Sequence, residues 1–223
     1  MLSRIILPYN RFAWATYTPG AGYTFVQYNV KRRIAGDSAW TRIKVITDQG
    51  TTHYDDYAAP PNQRLEYIVT ASALLGSIVL ESDEPDPVSG VLCFRSVYLH
   101  SVDDPAVYAV IPAYDFDEPA LQDYQTVQPR GRVVPSAIVG KARWHVTSFR
   151  GLDQTFRPSV SWDNLEALQL EQGPDGAAAI LCLRAGEAGI RRFVTLSRLG
   201  RRAGQKSYAP DVEATETYYL EAV

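Results

Sequence analysis

The sequence predicts a mainly β protein, with two β domains in tandem and one helix in the second. The 223 residues include 14 Tyr, 7 Phe and 4 Trp but a single Met, and aromatic side chains favour strands. Short apolar segments recur at close spacing between turn residues, a pattern typical of a β-sandwich. Because the chain is longer than the roughly 150 residues of an average domain, its length alone allows one large or two small domains.

The first domain is expected over residues 1–84. Its clearest strand covers residues 23–33, where apolar side chains recur at alternate positions, the period of a strand with one buried face. A turn at Gly36 leads to a returning strand at residues 40–47. A short polar strand follows at residues 51–58.

The last long strand of the first domain is expected at residues 64–73. Its alternation places Leu65, Tyr67, Val69 and Ala71 inside the domain and Thr70 on the outer face. A final strand, at residues 76–81, completes the sandwich.

An acidic linker with two prolines is predicted at residues 85–90. The second domain, residues 91–223, is expected to open with a strand at residues 91–99. Both faces of this strand are apolar, which predicts a position in the middle of a core. Its thiol, Cys93, is therefore expected to be buried, as is Cys182 in a second apolar strand; a disulfide between them stays open.

The helix is expected at about residues 163–172. Asp163 is a suitable N-cap, and Glu166 three residues later completes a capping-box pattern. Leu165 and Leu168 form the apolar stripe of the helix, and a glycine-proline pair directly after residue 172 ends it.

The rest of the second domain is expected to consist of strands around one long loop. Residues 112–132 contain three prolines and no clear periodicity, and a loop of this length usually has a function or is ordered by a partner. Strands are expected at residues 107–111, 141–149, 177–184, 191–199 and 212–222.

Motifs in the first domain resemble those of fibronectin type III domains. They are Tyr28-x-Val30-x-Arg32, Trp40-x-x-Ile43, Thr52-x-Tyr54-x-Asp56 and Leu65-x-Tyr67-x-Val69-x-Ala71. The resemblance implies a β-sandwich with Trp40 as its core tryptophan and Leu65-x-Tyr67 as its tyrosine corner. Such domains mostly serve as spacers and binding scaffolds.

Motifs in the second domain resemble minor tail proteins of long-tailed, siphovirus-type bacteriophages. They are Leu92-x-Phe94-x-x-Val97-Tyr98-Leu99-His100 with Asp103-Asp104-Pro105, Trp144-x-Val146-x-Ser148-x-Arg150-Gly151, Leu181-Cys182-Leu183-Arg184 and Arg192-x-Val194. The resemblance implies a β-sandwich or barrel with one helix, similar to tail-tube and distal-tail proteins. It also implies a structural, non-enzymatic part of the tail tip or baseplate that assembles with its own copies, as a ring or trimer, and with other tail proteins.

Charge is uneven along the chain. Residues 81–118 carry a net charge of -8 and residues 185–206 carry +5. These segments are either two solvated loop regions or complementary faces that join copies head to tail. The second interpretation selects an assembly interface of Asp103, Asp104, Asp115, Asp117, Glu118, Arg191, Arg192, Arg201 and Arg202.

The sequence does not predict catalysis, a cofactor or a metal site. The histidines His53, His100 and His145 are far apart, and no nucleophile elbow or phosphate loop occurs. Asp115, Asp117 and Glu118 offer oxygen atoms, but their spacing lacks the glycine and terminal glutamate of a calcium loop.

The expected partners are therefore proteins, with a host glycan as the alternative. A net charge of -3 predicts no attraction to nucleic acid or to acidic membranes. As the alternative function, a module that binds host cell-surface carbohydrate would stack Tyr108, Tyr114 and Tyr124 on sugar rings. No secretion signal or membrane span is predicted, so we expect synthesis in the host cytoplasm and a final location in the virion.

Overall fold

A computed structural model describes residues 7–111, 114–117, 120–127, 136–151, 158–173, 176–203 and 208–217. Within these ranges the chain is mainly β, as predicted, with antiparallel strands and one helix. The strands are β1 (Asn10–Ala13), β2 (Tyr23–Ile34), β3 (Thr41–Ile46), β4 (His53–Asp56), β5 (Arg64–Leu75), β6 (Ile78–Glu81), β7 (Val88–Val91), β8 (Val97–Ser101), β9 (Tyr108–Ile111), β10 (Tyr114–Asp117), β11 (Ala120–Val127), β12 (Ser136–Gly151), β13 (Leu181–Ala185), β14 (Ile190–Ala203) and β15 (Tyr208–Glu216); the helix is α1 (Pro158–Leu170).

The chain divides into two compact units. Unit 1 contains the described residues up to Arg95 together with the segment Ala185–Arg191. Unit 2 contains the described residues from Ser96 to Arg184 and those from Arg192 to residue 217.

Unit 1 is built on a five-stranded antiparallel sheet with the order β3-β2-β5-β6, in which β7 also pairs with β5. Strand β2 pairs with β5 along almost its whole length. Strands β6 and β7 must therefore share the opposite edge of β5, where β6 pairs with residues 72–75 and β7 with residues 64–67. A separate antiparallel pair, β1-β4, forms a second layer.

The core of unit 1 lies between these two layers. Phe12 of β1 stacks on Tyr67 of β5 with ring centroids 4.7 Å apart, and Trp14 packs against the same cluster. Trp40, the tryptophan expected in the core, lies instead just before β3, where the Arg33 guanidinium sits 4.1 Å from its ring centroid. The expectation that Trp40 lies in the core is wrong. Phe12 of β1 and Trp14 directly after it supply aromatic rings to this core instead.

The alternation of β5 is only half confirmed. Leu65, Tyr67 and Ala71 are buried as predicted and Val69 is partly buried, but Thr70 on the other face is buried too. Thr70 donates a hydrogen bond to Glu81 of β6. The local pattern predicted Thr70 as exposed because it is polar, whereas the neighbouring strand β6 supplies Glu81, whose carboxylate accepts the hydrogen bond of its hydroxyl.

The predicted single strand at residues 91–99 is wrong. Strand β7 ends at Val91 and belongs to unit 1, residues 92–96 are irregular, and β8 begins at Val97 in unit 2. Cys93 is consequently exposed, although Cys182 is buried as predicted, and neither cysteine forms a disulfide. The apolar run is shared between two separate structural units, which a local pattern cannot reveal.

Hydrogen bonds from side chains to backbone carbonyl oxygens hold the segment Ala185–Arg191 in unit 1. Asn62, in a left-handed conformation with φ of 57°, donates through its side chain to the Gly186 carbonyl oxygen. The Arg191 guanidinium donates to the Ala58 carbonyl oxygen at 3.3 Å. Gly186 has no room for a side chain, because a Cβ there would lie 2.0 Å from the carbonyl oxygen of Phe94.

Unit 2 is built on an eight-stranded sheet with the order β10-β12-β15-β14-β13-β8-β9, in which β11 also pairs with β12. Strands β8 and β13 are buried at every position. The strands predicted at the end of the chain are present as β13, β14 and β15, with shifted ends.

Helix α1 begins five residues before the predicted start, at Pro158, a residue whose fixed φ suits the first helical turn. Asp163 therefore lies inside the helix, and its prediction as the N-cap is wrong. Leu165 and Leu168 are buried as predicted. Asn164 donates to the backbone carbonyl oxygen of Tyr108 at 2.6 Å, which fixes the helix against β9.

The predicted loop at residues 112–132 is wrong for most of its length. It contains β10 and β11, both of which pair with β12. The apolar pattern of the sequence did not predict these strands, because their sequence is largely polar. Their backbone hydrogen bonds come from pairing with the distant strand β12. Residues 112–113, 118–119 and 128–132 lie outside the described part.

Candidate functional site: an open sheet edge in unit 1

The outer edge of the unit 1 sheet carries an unusual concentration of exposed apolar side chains. In β6, Ile78, Val79 and Leu80 are 61%, 58% and 45% exposed, and in β7 Val88 and Val91 are 56% and 52% exposed. We call these five residues the apolar edge. Neighbouring positions of a strand point to opposite faces, so exposure of three consecutive residues means that both faces of β6 are open to solvent.

Strand β6 pairs with β5 alone among the described residues. Its second row of backbone N-H and C=O groups therefore points away from the sheet, a geometry that can accept another strand. Tyr23 and Leu75, which pair with each other at the same end of the sheet, are 38% and 41% exposed. They extend the apolar surface around the tip of the β5-β6 hairpin.

Acidic and proline residues separate the two parts of the apolar edge. Residues 82–87 are exposed and have no regular structure; they include Asp83, Glu84 and Asp86. Prolines and charges at a sheet edge limit unspecific strand pairing. Residues 82–87 thus interrupt the apolar edge, which is not one unbroken apolar strip.

Polar residues beside this edge are satisfied within unit 1. The Lys31 ammonium lies 2.8 Å from the Glu81 carboxylate and 3.7 Å from that of Glu84. Hydrogen bonds from Lys31 and then from Thr70 lower the pKa of Glu81. On the same face, the Asn29 amide donates to the Ser72 hydroxyl at 2.9 Å, so these side chains support the edge rather than form a pocket.

A second polar cluster lies inside unit 1 and is structural. The Asp56 carboxylate accepts from the Arg32 guanidinium at 2.7 Å and from the Tyr67 hydroxyl at 3.0 Å. Asn10 donates to the Tyr67 hydroxyl at 3.0 Å, which ties β1 to β5. Burial and then the Asp56 charge raise the pKa of Tyr67. Arg32, Asp56 and Tyr67 are at most 6% exposed, so the cluster offers no access to a ligand.

The acidic residues predicted for assembly lie in unit 2. Asp103 and Asp104 are exposed in the turn after β8, and the Asp104 carboxylate accepts from the Ala106 backbone N-H at 3.0 Å. Asp115 and Asp117 occupy β10, opposite Arg150 and Ser148 of β12 in the pairing register. Their side chains lie outside the described part.

Of the remaining residues predicted for assembly, some have partners within the chain and the others have side chains that lie outside the described part. Arg191 contacts Ala58 within unit 1, and the Arg192 guanidinium pairs with Glu216 at 3.1 Å. Arg201 and Arg202 are placed only by the pairing of β14 with β15. Glu118 lies outside the described residues, so the predicted acidic and basic faces remain a prediction.

The residues of the glycan alternative are spread over three strands. Tyr108 is partly buried in β9, whereas Tyr114 in β10 and Tyr124 in β11 are described by strand position alone. His53 is exposed, and buried His100 has its Nδ1 2.7 Å from the Ser101 carbonyl oxygen.

Among the described side chains, no three His, Cys, Asp or Glu residues are close enough to hold a metal ion. The described part of the chain also has no helix with the length and apolar character of a membrane span.

The apolar edge was missed by sequence reasoning, although a signal was present. Ile78, Val79 and Leu80 are consecutive apolar residues in a short strand, whereas a strand with one solvated face alternates apolar and polar positions. Such a run predicts either a central strand or an exposed contact strand. Comparison with known proteins adds no further guide, because neither a protein-family model nor a curated sequence matches the chain.

Proposed function

We propose that this protein is a non-enzymatic structural component of the tail tip or baseplate of a long-tailed bacteriophage. In this role it assembles with copies of itself and with other tail proteins. The proposal joins the resemblance of the second domain to minor tail proteins with a mainly β architecture. In this role the protein catalyses no reaction and acts through the surfaces by which it contacts other proteins.

The observation that carries an assembly role is the apolar edge. Groups of exposed apolar side chains on a protein surface often mark the place where another protein binds. An open strand edge adds backbone hydrogen bonds to that contact. Ile78, Val79 and Leu80 combine both features in one four-residue strand. Such a strand can form the contact by which the protein is assembled with others.

The decisive experiment is to locate the protein in particles. Antibodies against the purified chain should label one end of the tail of the phage that encodes it, and mass spectrometry should find the chain in purified virions. Disruption of the gene should yield particles with incomplete tails. Virions that lack the protein and keep normal tails would overturn the proposal.

Two further assays separate the alternatives. A carbohydrate-binding module would bind host cell-surface glycan, and replacement of Tyr108, Tyr114 and Tyr124 by Ala would abolish adsorption while leaving intact particles. A wall-degrading enzyme would release reducing sugar or peptide from host cell wall. The structural proposal expects neither effect.

Removal of residues 112–132 is not a clean test of assembly. The deletion takes out β10 and β11 together with their pairing to β12. A loss of assembly would then follow from damage to the unit 2 sheet. Substitutions on exposed side chains of unit 1 are the better perturbation.

A further inference from the structure

The two outer strands of the unit 1 sheet differ in charge. Strand β3 carries Arg42 and Lys44, both exposed. Across the sheet, the segment after β6 carries exposed Asp83 and Asp86. Each of these two edge strands pairs with one neighbour among the described residues, β3 with β2 and β6 with β5.

The order of the residues along each strand adds to this contrast. Strand β3 runs from its basic half at Arg42 and Lys44 to its apolar half at Val45 and Ile46. The other edge runs from the apolar strand β6 into the acidic segment at residues 81–86. An antiparallel pairing of the two edges aligns apolar with apolar residues and basic with acidic residues at the same time, whereas a parallel pairing would set basic residues beside apolar ones.

The topology of the sheet permits this antiparallel pairing between copies in the same orientation. Each neighbouring pair in the order β3-β2-β5-β6 is antiparallel, so β3 and β6 run in opposite directions. A second copy that continues the sheet beyond β6 therefore presents its β3 antiparallel to β6 without being turned over. This is a head-to-tail contact, which generates a ring when it closes.

The positive charge of Arg42 is not balanced by an ion pair within the described part of the chain. In the pairing of β2 with β3, Arg42 lies opposite Lys31, and like charges directly opposite each other are unfavourable. Lys31 is neutralised by Glu81 and Glu84, whereas no ion pair to Arg42 occurs within the described part of the chain.

The pairing register places Arg42 and Glu81 on the same face of the sheet. Arg42 lies opposite Lys31 of β2, and Glu81 lies opposite Ser72 of β5. Ser72 in turn lies opposite Gln27, which shares a strand face with Lys31 because the two are four positions apart. A second copy that continues the sheet in the same orientation would therefore bring its Glu81 to the face that Arg42 occupies.

We propose that the partner of the apolar edge is a second copy of this chain, whose β3 pairs antiparallel with β6 and whose Arg42 and Lys44 lie along the acidic segment at residues 81–86. The proposal rests on the assembly role proposed above and names its contact. Twofold contacts are disfavoured, because pairing β6 with β6 leaves the acidic residues without a cation, and pairing β3 with β3 leaves the basic residues without an anion.

Charge reversal on each edge of the full chain tests this assignment. One variant carries Arg42→Glu with Lys44→Glu, and the other carries Asp83→Lys with Asp86→Lys. The charge-matched control is Arg95→Glu with Arg198→Glu, which reverses two exposed cations that lie on neither edge of the unit 1 sheet. The association constant is measured by sedimentation velocity over a concentration series at low salt, and circular dichroism and thermal melting confirm that each variant is folded.

The unmodified chain should self-associate, and each edge variant alone should associate on the order of tenfold more weakly, since attraction becomes repulsion at two positions. A mixture of the two edge variants should regain the original association, because each then meets an oppositely charged edge. The control should associate like the unmodified chain.

The outcomes separate this proposal from the assembly role itself. An unmodified chain that stays monomeric, a mixture that fails to recover, or a control that weakens as much as the edge variants overturns the β3-β6 contact. Presence of the protein in virions is measured independently, so a failed contact with a positive virion result leaves the tail assignment standing.

Discussion

The buried ion pair of unit 1 gives the sharpest test of how this fold is stabilised. Asp56 is 1% exposed and accepts from both Arg32 and Tyr67, while Arg32 itself is 6% exposed. Replacing Asp56 by Ala leaves the Arg32 guanidinium in the core without its carboxylate. Removing one partner of a buried pair costs about 3–5 kcal/mol, a large share of the roughly 5–15 kcal/mol that stabilises a typical domain.

The adjacent residue supplies a matched control. Asp55 forms two hydrogen bonds of 2.6 Å with the Arg11 guanidinium, but the Arg11 side chain is 55% exposed. Water solvates the Arg11 charge that Asp55→Ala leaves without its carboxylate. Asp55→Ala should therefore lower the free energy of unfolding by a small fraction of the loss in Asp56→Ala, although both changes remove one Asp-Arg pair.

Urea unfolding followed by tryptophan fluorescence and by hydrogen exchange of β2 and β5 measures the two losses. Hydrogen exchange restricts the measurement to unit 1, which matters because a chain with two units need not unfold in one step. Asp56→Asn retains a hydrogen-bond acceptor without the charge and should fall between the other two variants. Equal losses for Asp55→Ala and Asp56→Ala would refute the reasoning from burial.

Three further predictions follow from unit 1 and the cysteines. Gly186→Ala should release the segment Ala185–Arg191, because its Cβ would lie 2.0 Å from the Phe94 carbonyl oxygen, and limited proteolysis should then cleave this segment faster. Cys93 should react with a maleimide in the folded protein, whereas Cys182 should react after unfolding, as one is exposed and the other buried. The raised pKa of Tyr67 means that the unfolded chain loses this proton first, so stability should fall as the pH rises above 10.0, and Tyr67→Phe should flatten that decline.

Each of these predictions has a control and a contradicting result. Gly90→Ala adds the same methyl group at a distance of 3.6 Å from its nearest neighbour, Asn10, and should leave proteolysis unchanged; equal cleavage of both variants would contradict the close contact at Gly186. Equal labelling rates of Cys93 and Cys182 would show that their environments do not differ. An unchanged alkaline slope in Tyr67→Phe would remove Tyr67 as its cause.

Local sequence patterns predicted the features that depend on residues close together in the chain, such as the buried face of a strand or a helix. The alternation of β2 placed Tyr28, Val30 and Arg32 on one buried face, and the spacing of Leu165 and Leu168 found the buried side of the helix. These features follow from the period of a strand or a helix, which is the same wherever the element packs.

The candidate site could not be predicted in the same way. Its strand, β6, was expected as a strand, but exposure of Ile78, Val79 and Leu80 depends on the absence of a second neighbour within the described part of unit 1. An identical apolar run would be buried in a central strand. The two charged segments at residues 81–118 and 185–206, either solvated loops or complementary faces, stay a prediction; the opposite charges of β3 and of the segment after β6 became visible only from the order of the strands in the sheet.

The sequence by itself determined the mainly β class, strands β2 to β6 of unit 1 and the helix α1 with shifted ends, because each depends on local periodicity and turn residues. Only the tertiary structure decided that the run after Val91 is divided between two units, that Ala185–Arg191 returns to unit 1, and that Asp56 holds Arg32 and Tyr67 in the core. These features join residues far apart in the chain. Their energy comes from burial and pairing between distant segments, so no local pattern records them.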